Sequence, residues 1–127
     1  ATVRGIMSQR LVRILCPDCK APAKPDPEAW RELTAPRELP LPETIARPVG
    51  CKQCRGTGYR GRRGIYEVLV MSPAVQHLVT ARLDSDKIRH AAMAEGMQSL
   101  RMSGAARVAR GETTIEEVMR VAPAVER

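Results

Sequence analysis

The hydrophobic positions show two textures, and the change comes near Ser72. In "IMSQRLVRIL", apolar Ile6, Met7, Leu11, Ile14 and Leu15 recur at helical spacing, with Arg10 and Arg13 on the other side. That spacing predicts an N-terminal helix. "PDPEAWRELT" predicts a second, short helix: Asp26 can cap it, Pro27 suits its first position, and Trp30 and Leu33 share a face. Residues 35–50, "APRELPLPETIARPVG", hold four prolines and predict an irregular, extended excursion. "IYEVLV", residues 65–70, is β-branched and aromatic and predicts a strand.

From Ser72 onward, short helical patterns follow one another. "SPAVQHLVTARL" opens on a Ser cap and a Pro at the first helical position. "SDKIRHAAMAEG" starts at Ser85 and stops at Gly96, a helix-ending glycine. "QSLRMSGAARVARG" is a weaker pattern with Gly104 in its middle. "TTIEEVMRV" offers a capping box, with Thr113 and Glu116 three apart. The expected fold class is mainly α: a tetracysteine subdomain with a short β element, followed by a small helical bundle. The expected division is residues 1–70 for the N-terminal helix, the cysteines and the proline-rich excursion. Residues 71–127 form the C-terminal helical bundle. The first residues already read as a helix, so the chain is expected to be part of something longer.

Composition changes this picture in one respect. The 127 residues include one Trp, two Tyr and no Phe. Large rings normally supply much of a small core's buried area. A core of Leu, Val, Ile, Met and Ala calls for another staple. No run of about 18 apolar residues occurs, so no membrane-spanning segment is expected. The net charge of +7 makes nucleic acid, anionic lipid or a nucleotide phosphate plausible partners without selecting one.

The four cysteines supply the staple. Cys16 with Cys19, and Cys51 with Cys54, each form a C-x-x-C pair, and the proline-rich middle separates the pairs. A C-x-x-C turn presents two thiolates, and two such turns complete a tetrahedron around Zn2+. Every cysteine is used. Two disulfides would need an oxidising compartment, and no secretory signal is visible. Four thiolates also suit an iron–sulfur cluster. His77 and His90 fall in expected helices and read as surface residues. Four protein ligands leave no open position for a catalytic water, so the expected role of the metal is structural.

The run "CKQCRGTGYRGRRG" carries five basic side chains and no acid. Its start fits the C-x-x-C-x-G-x-G repeat of DnaJ-type chaperones, but those carry it four times and here it occurs once. A zinc-ribbon that binds nucleic acid remains an alternative on charge. Against it stands the shortage of rings for base stacking, with only Tyr59 and Tyr66 nearby.

Taken in order, "QRLVRILCPDCK", "GCKQCRGTGYRGRRGIYEVL" and "EGMQSLRMSGAARVARGETTIEEVMRV" together resemble the C-terminal domain of type II secretion and type IV pilus assembly ATPases. The resemblance covers nearly the whole chain apart from the proline-rich middle. One departure is Arg63, where relatives commonly have Thr. The resemblance implies the C-terminal part of a larger α/β, RecA-like ATPase. It implies a hexameric motor, cytoplasmic and peripheral at the bacterial inner membrane, that drives pilus or pseudopilus assembly. The implied partners are its own upstream ATPase core, neighbouring subunits of a homohexamer and inner-membrane platform proteins. Nucleic-acid binding is expected to be weak and non-specific at most. The phosphate-cradling loop G-x-x-x-x-G-K-[ST] does not occur in the sequence. ATP and Mg2+ are therefore expected to bind upstream, and this piece alone is expected not to hydrolyse ATP. In the family an arginine of the Y-R-G-R segment comes near nucleotide phosphates. Arg62 is the matching position and Arg60 the substitute candidate.

Overall fold

The longest feature is an antiparallel ribbon, and its first strand lies where the spacing predicts a helix. The computed structural model describes residues 4–81 and 84–123. Strand β1 (Gly5–Leu15) pairs with β4 (Tyr59–Val70), from Gly5 opposite Val70 to Leu15 opposite Tyr59. Two causes override the helical spacing. The apolar positions of a short segment fit either period. The distant partner, rich in Val, Ile and Tyr, then decides in favour of the ladder. The strand expected over 65–70 also starts earlier, at Tyr59. The basic arm is therefore strand, not free loop.

The remaining elements build on this ribbon. Short strands β2 (Ala21–Ala23) and β3 (Ile45–Arg47) pair antiparallel and close the neck of the proline-rich excursion. Helix α1 (Pro27–Thr34) lies in the loop closed by this neck, just before the proline-rich stretch. Asp26 caps it as expected, accepting the N–H of Glu28 at 3.0 Å, and Trp30 and Leu33 are both buried. The Trp30 indole N–H donates to the carbonyl of Leu39 at 3.2 Å, pinning the proline-rich stretch to the helix.

Four helices follow: α2 (Pro73–Thr80), α3 (Ser85–Ala94), α4 (Leu100–Ala109) and α5 (Ile115–Val121). The expected continuation of α2 through residues 82–83 lies outside the described residues. Helix α3 is capped by Asp84, one residue before the expected start. The cap of α5 is also displaced by one: Thr114, not Thr113, accepts the N–H of Glu117 at 3.2 Å. Thr113 and Glu116 form no capping box, because Thr113 donates its hydroxyl to the carbonyl of Arg13 at 2.7 Å. Among the described residues the architecture is five helices with two two-stranded sheets, so that helix prevails but a mainly α class is not clear-cut.

The main core joins both ends of the chain. Val12 of β1, Trp30 and Leu33 of α1, and Ile65 of β4 pack with Leu100, Ala105, Val108, Ile115 and Val118 of α4 and α5. A separate small cluster holds Val75, Ala92 and Met97. Helix α4 also closes the edge of β4. Ser103 accepts the Tyr66 N–H at 3.0 Å, and Arg107 donates to the Gly64 carbonyl at 2.9 Å. An edge occupied in this way is no longer a template for another strand. One face of the ribbon stays open, leaving Met7, Leu11, Tyr66, Val68 and Val70 exposed.

Candidate metal centre

The ribbon's register brings the four cysteines together. Strand β1 ends at Leu15 and runs into Cys16, while Cys51 and Cys54 lie in the turn that leads into β4. Since the strands are antiparallel, both C-x-x-C turns arrive at the same end. The N–H of Cys16 donates to the carbonyl of Gly58 at 2.9 Å, which ties one turn to the other. The turn at Gly58 needs a glycine: its φ is +84°, and a Cβ there would collide with Pro48.

The four sulfurs all lie within 4.8 Å of one another. The Sγ separations Cys16–Cys51, Cys19–Cys54 and Cys51–Cys54 are each 3.8 Å. With Zn–S bonds of about 2.3 Å, the edge of a regular tetrahedron is about 3.8 Å. The donor set and its spacing therefore fit a tetrahedral thiolate-bound metal ion such as zinc. The cysteines are free of disulfides, with Cys16 and Cys54 buried and the other two half-buried.

The surroundings favour thiolate unevenly. At Cys54 burial opposes ionisation, but the N–H groups of Cys51 and Gly58, each 3.2 Å from the sulfur, outweigh it. The neighbouring thiols of Cys51 and Cys19 act in the same direction, and the thiol is brought down to about 6. At Cys19 burial dominates. The Gly50 N–H at 3.3 Å offsets it only in part, the other three thiols push the same way as burial, and the thiol rises to about 11. Backbone donors, helped by the neighbouring thiols, thus favour thiolate at one sulfur only. A dication is the charge that holds four crowded thiolates at once.

The arginines of the arm lie beyond the cysteine turns. Arg62 is exposed and stands opposite Arg13 in the ribbon. Between Arg62 and Tyr59 the register shifts, and β4 carries one residue more than β1. Gly61 sits in this bulge with φ +85°. Arg60 forms an ion pair with Asp18 at 3.6 Å, both more than half exposed. Among the described residues Arg62 forms no ion pair. The structure thus gathers the four cysteines and leaves both arginines outside their cluster.

Sequence reasoning missed a second polar centre. Glu117 is buried and receives three bonds from Arg13: the backbone N–H at 3.1 Å, Nε at 3.0 Å and Nη2 at 2.9 Å. Arg120 adds a fourth at 2.6 Å. Burial would raise the carboxyl, but the bonds from Arg13 and Arg120 outweigh it and hold it down at about 2. The signal was present as the second acid of "TTIEEV", although its partner Arg13 read as a surface residue.

Known proteins extend the comparison. The chain matches the family described as type II/IV secretion system protein over residues 1–120. It belongs to that family. The type IV pilus assembly ATPase TfpB of Acinetobacter baylyi is 43% identical over 123 residues, which are 97% of this chain and 21% of that protein. The type II secretion system protein E of Aeromonas hydrophila is 40% identical over 95% of this chain and 24% of its own length. The type II secretion system ATPase E of Vibrio cholerae is 38% identical, with the same two coverages. The chain therefore spans between a fifth and a quarter of the length of these relatives. Among the described residues, no helix is long and apolar enough to cross a membrane.

Proposed function

We propose that the chain is the zinc-bearing module of a hexameric motor ATPase that drives pilus or pseudopilus assembly. The observation that carries this reading is the cluster of four sulfurs within 4.8 Å at one end of the ribbon, whose second strand bears Arg62. Cys16, Cys19, Cys51 and Cys54 hold one Zn2+, which closes the ribbon's end and has no chemical step of its own. ATP and Mg2+ bind to other parts of the longer protein. Arg62 reaches the nucleotide phosphates from here, because a guanidinium offers a fork of donors to phosphate oxygens. Arg60 is the lesser candidate because Asp18 already engages it. The open apolar face of Met7, Leu11, Tyr66, Val68 and Val70 packs against the rest of the motor. The motor works at the cytoplasmic face of the inner membrane, against neighbouring subunits and platform proteins.

The test has two arms. Metal analysis of the freshly purified chain should find one zinc per molecule, and two disulfides in its place would end the metal reading. In the full-length motor, Arg62→Ala should lower ATP turnover by roughly ten- to a hundredfold, the scale of one charged hydrogen bond. Arg62→Lys should recover only part of that. Wild-type turnover by Arg62→Ala with zinc retained would make Arg62 a surface arginine. A DNA complex that survives physiological salt would favour the nucleic-acid reading instead.

A further inference from the structure

The last residues of β1 are gripped from outside the ribbon by residues 112–117. The Leu15 N–H donates to the carbonyl of Glu112 at 2.9 Å. The Thr113 hydroxyl donates to the Arg13 carbonyl at 2.7 Å. Glu117 accepts the Arg13 N–H and takes the guanidinium with both oxygens. The same guanidinium lies over the ring of Tyr59, 4.3 Å from its centroid. The Tyr59 hydroxyl shares a hydrogen bond of 2.9 Å with the hydroxyl of Thr114.

These contacts converge on one place. Leu15 is the ribbon partner of Tyr59, and Arg13 is the partner of Arg62. The bulge at Gly61 lies between Tyr59 and Arg62. Both flanks of the bulge are therefore fixed by the start of α5. The charges agree with the geometry. Two arginines directly opposite in a ribbon repel each other. Both side chains are exposed, but Arg13 is committed to a buried carboxylate, whereas among the described residues Arg62 forms no ion pair.

We propose that Glu117 is a positioning residue for Arg62: by clamping Arg13, and Tyr59 through it, Glu117 sets the bulge from which Arg62 leaves the ribbon. This rests on the reading that Arg62 meets nucleotide phosphate. Glu117 touches no substrate. It acts on turnover only through the direction and freedom of the arm.

The experiment uses the full-length motor with Glu117→Gln, Tyr59→Phe, Arg62→Ala and the Glu117→Gln/Arg62→Ala double variant. ATP turnover and amide hydrogen exchange over residues 59–64 are measured, together with zinc content. Glu117→Gln should lower kcat roughly tenfold while KM moves less than about twofold. Exchange over 59–64 should rise with zinc retained. Tyr59→Phe removes only the link to Thr114 and should show the same pattern at about a third of the size. The double variant should be no slower than Arg62→Ala alone, because both changes act along one route. Wild-type exchange over 59–64 in Glu117→Gln, or losses that multiply in the double variant, would overturn the proposal. If Glu117→Gln does not fold, Arg13→Lys, which breaks the two-oxygen clamp, is measured in its place, and unchanged exchange over 59–64 there overturns the proposal equally. Full turnover by Arg62→Ala would remove the phosphate reading, and the exchange data would still decide whether Glu117 sets the bulge.

Discussion

The cysteine end of the ribbon and the α2–α3 hairpin are held together by different means. At the cysteine end, four sulfurs, the buried Glu117 pair and a core drawn from five elements converge. The hairpin has the small cluster of Val75, Ala92 and Met97 and a few polar ties. Arg89 pairs with Glu67 of β4, its Nη1 at 2.7 Å from the carboxylate, and Ser72 donates to Glu95. Arg37 reaches the carbonyl of Met93 at 3.1 Å. The contrast teaches that a chain poor in rings can stay rigid where chemistry adds to packing. Where a small cluster has only a few polar ties beside it, the region is expected to open first.

The largest test of this contrast is removal of the proposed metal. Cys54→Ser, or a strong chelator, should remove on the order of 10 kcal/mol of site stabilisation. Hydrogen exchange should show residues 10–20 and 50–65 losing protection together with α4 and α5. Those helices share one core with Val12 and Ile65. Helices that keep full protection after metal loss would separate the core from the site and break the comparison.

Acid is a smaller and sharper probe. The Glu117 carboxyl titrates at about 2 in the folded chain and near its ordinary 4.5 when unfolded. A depressed carboxyl contributes stability that is fully present above the unfolded value and is lost as pH falls towards the folded one. The window therefore runs from 4.5 down to about 2. The contribution at neutral pH is about 3 kcal/mol. The groups facing the carboxylate are Arg13 and Arg120, which stay charged throughout the window. The stability difference between wild type and Glu117→Gln, followed by denaturant melts, should shrink across that window. Loss of zinc in acid affects both proteins and cancels in the difference. A constant difference would show that the carboxylate's charge is not what holds Arg13.

The smallest effect belongs to the hairpin. Arg89→Met leaves the buried Glu67 without its partner and should cost about 1.5–3 kcal/mol. The cost should be local: faster exchange over α2 and α3, with zinc content and exchange at the cysteine turns unchanged. Loosening of the cysteine end as well would make the two regions a single cooperative unit.

The same contrast explains what could be read in the sequence. The cysteine site was legible because thiol chemistry is written in a few residues with fixed spacing, and the ribbon brings Cys16 to 3.8 Å from Cys51. The helices after Ser72 were legible because Ser72 caps α2 and Gly96 follows the end of α3 where short-range signals place them. Strand β1 was not, because what selects it is β4, far along the chain, and its own apolar spacing permits a helix. Glu117 was missed for the same reason: its main partner Arg13 lies on β1, far along the chain, and only Arg120 is close in sequence. Gly104 read as a weak point of its helix. It lies where α4 meets α5, and a Cβ there would collide with the methyls of Val118. The missing side chain is what permits that contact.

The proline-rich excursion leaves and returns through the β2–β3 neck, with the cysteine turns on either side of it. Each doubling of the length of such a closed loop costs only about 0.6 kcal/mol of chain entropy. Lengthening the stretch between Leu39 and β3 should therefore cost the fold little. A tag, a fluorophore or a cleavage sequence inserted there should leave the packing of the cysteine end unchanged.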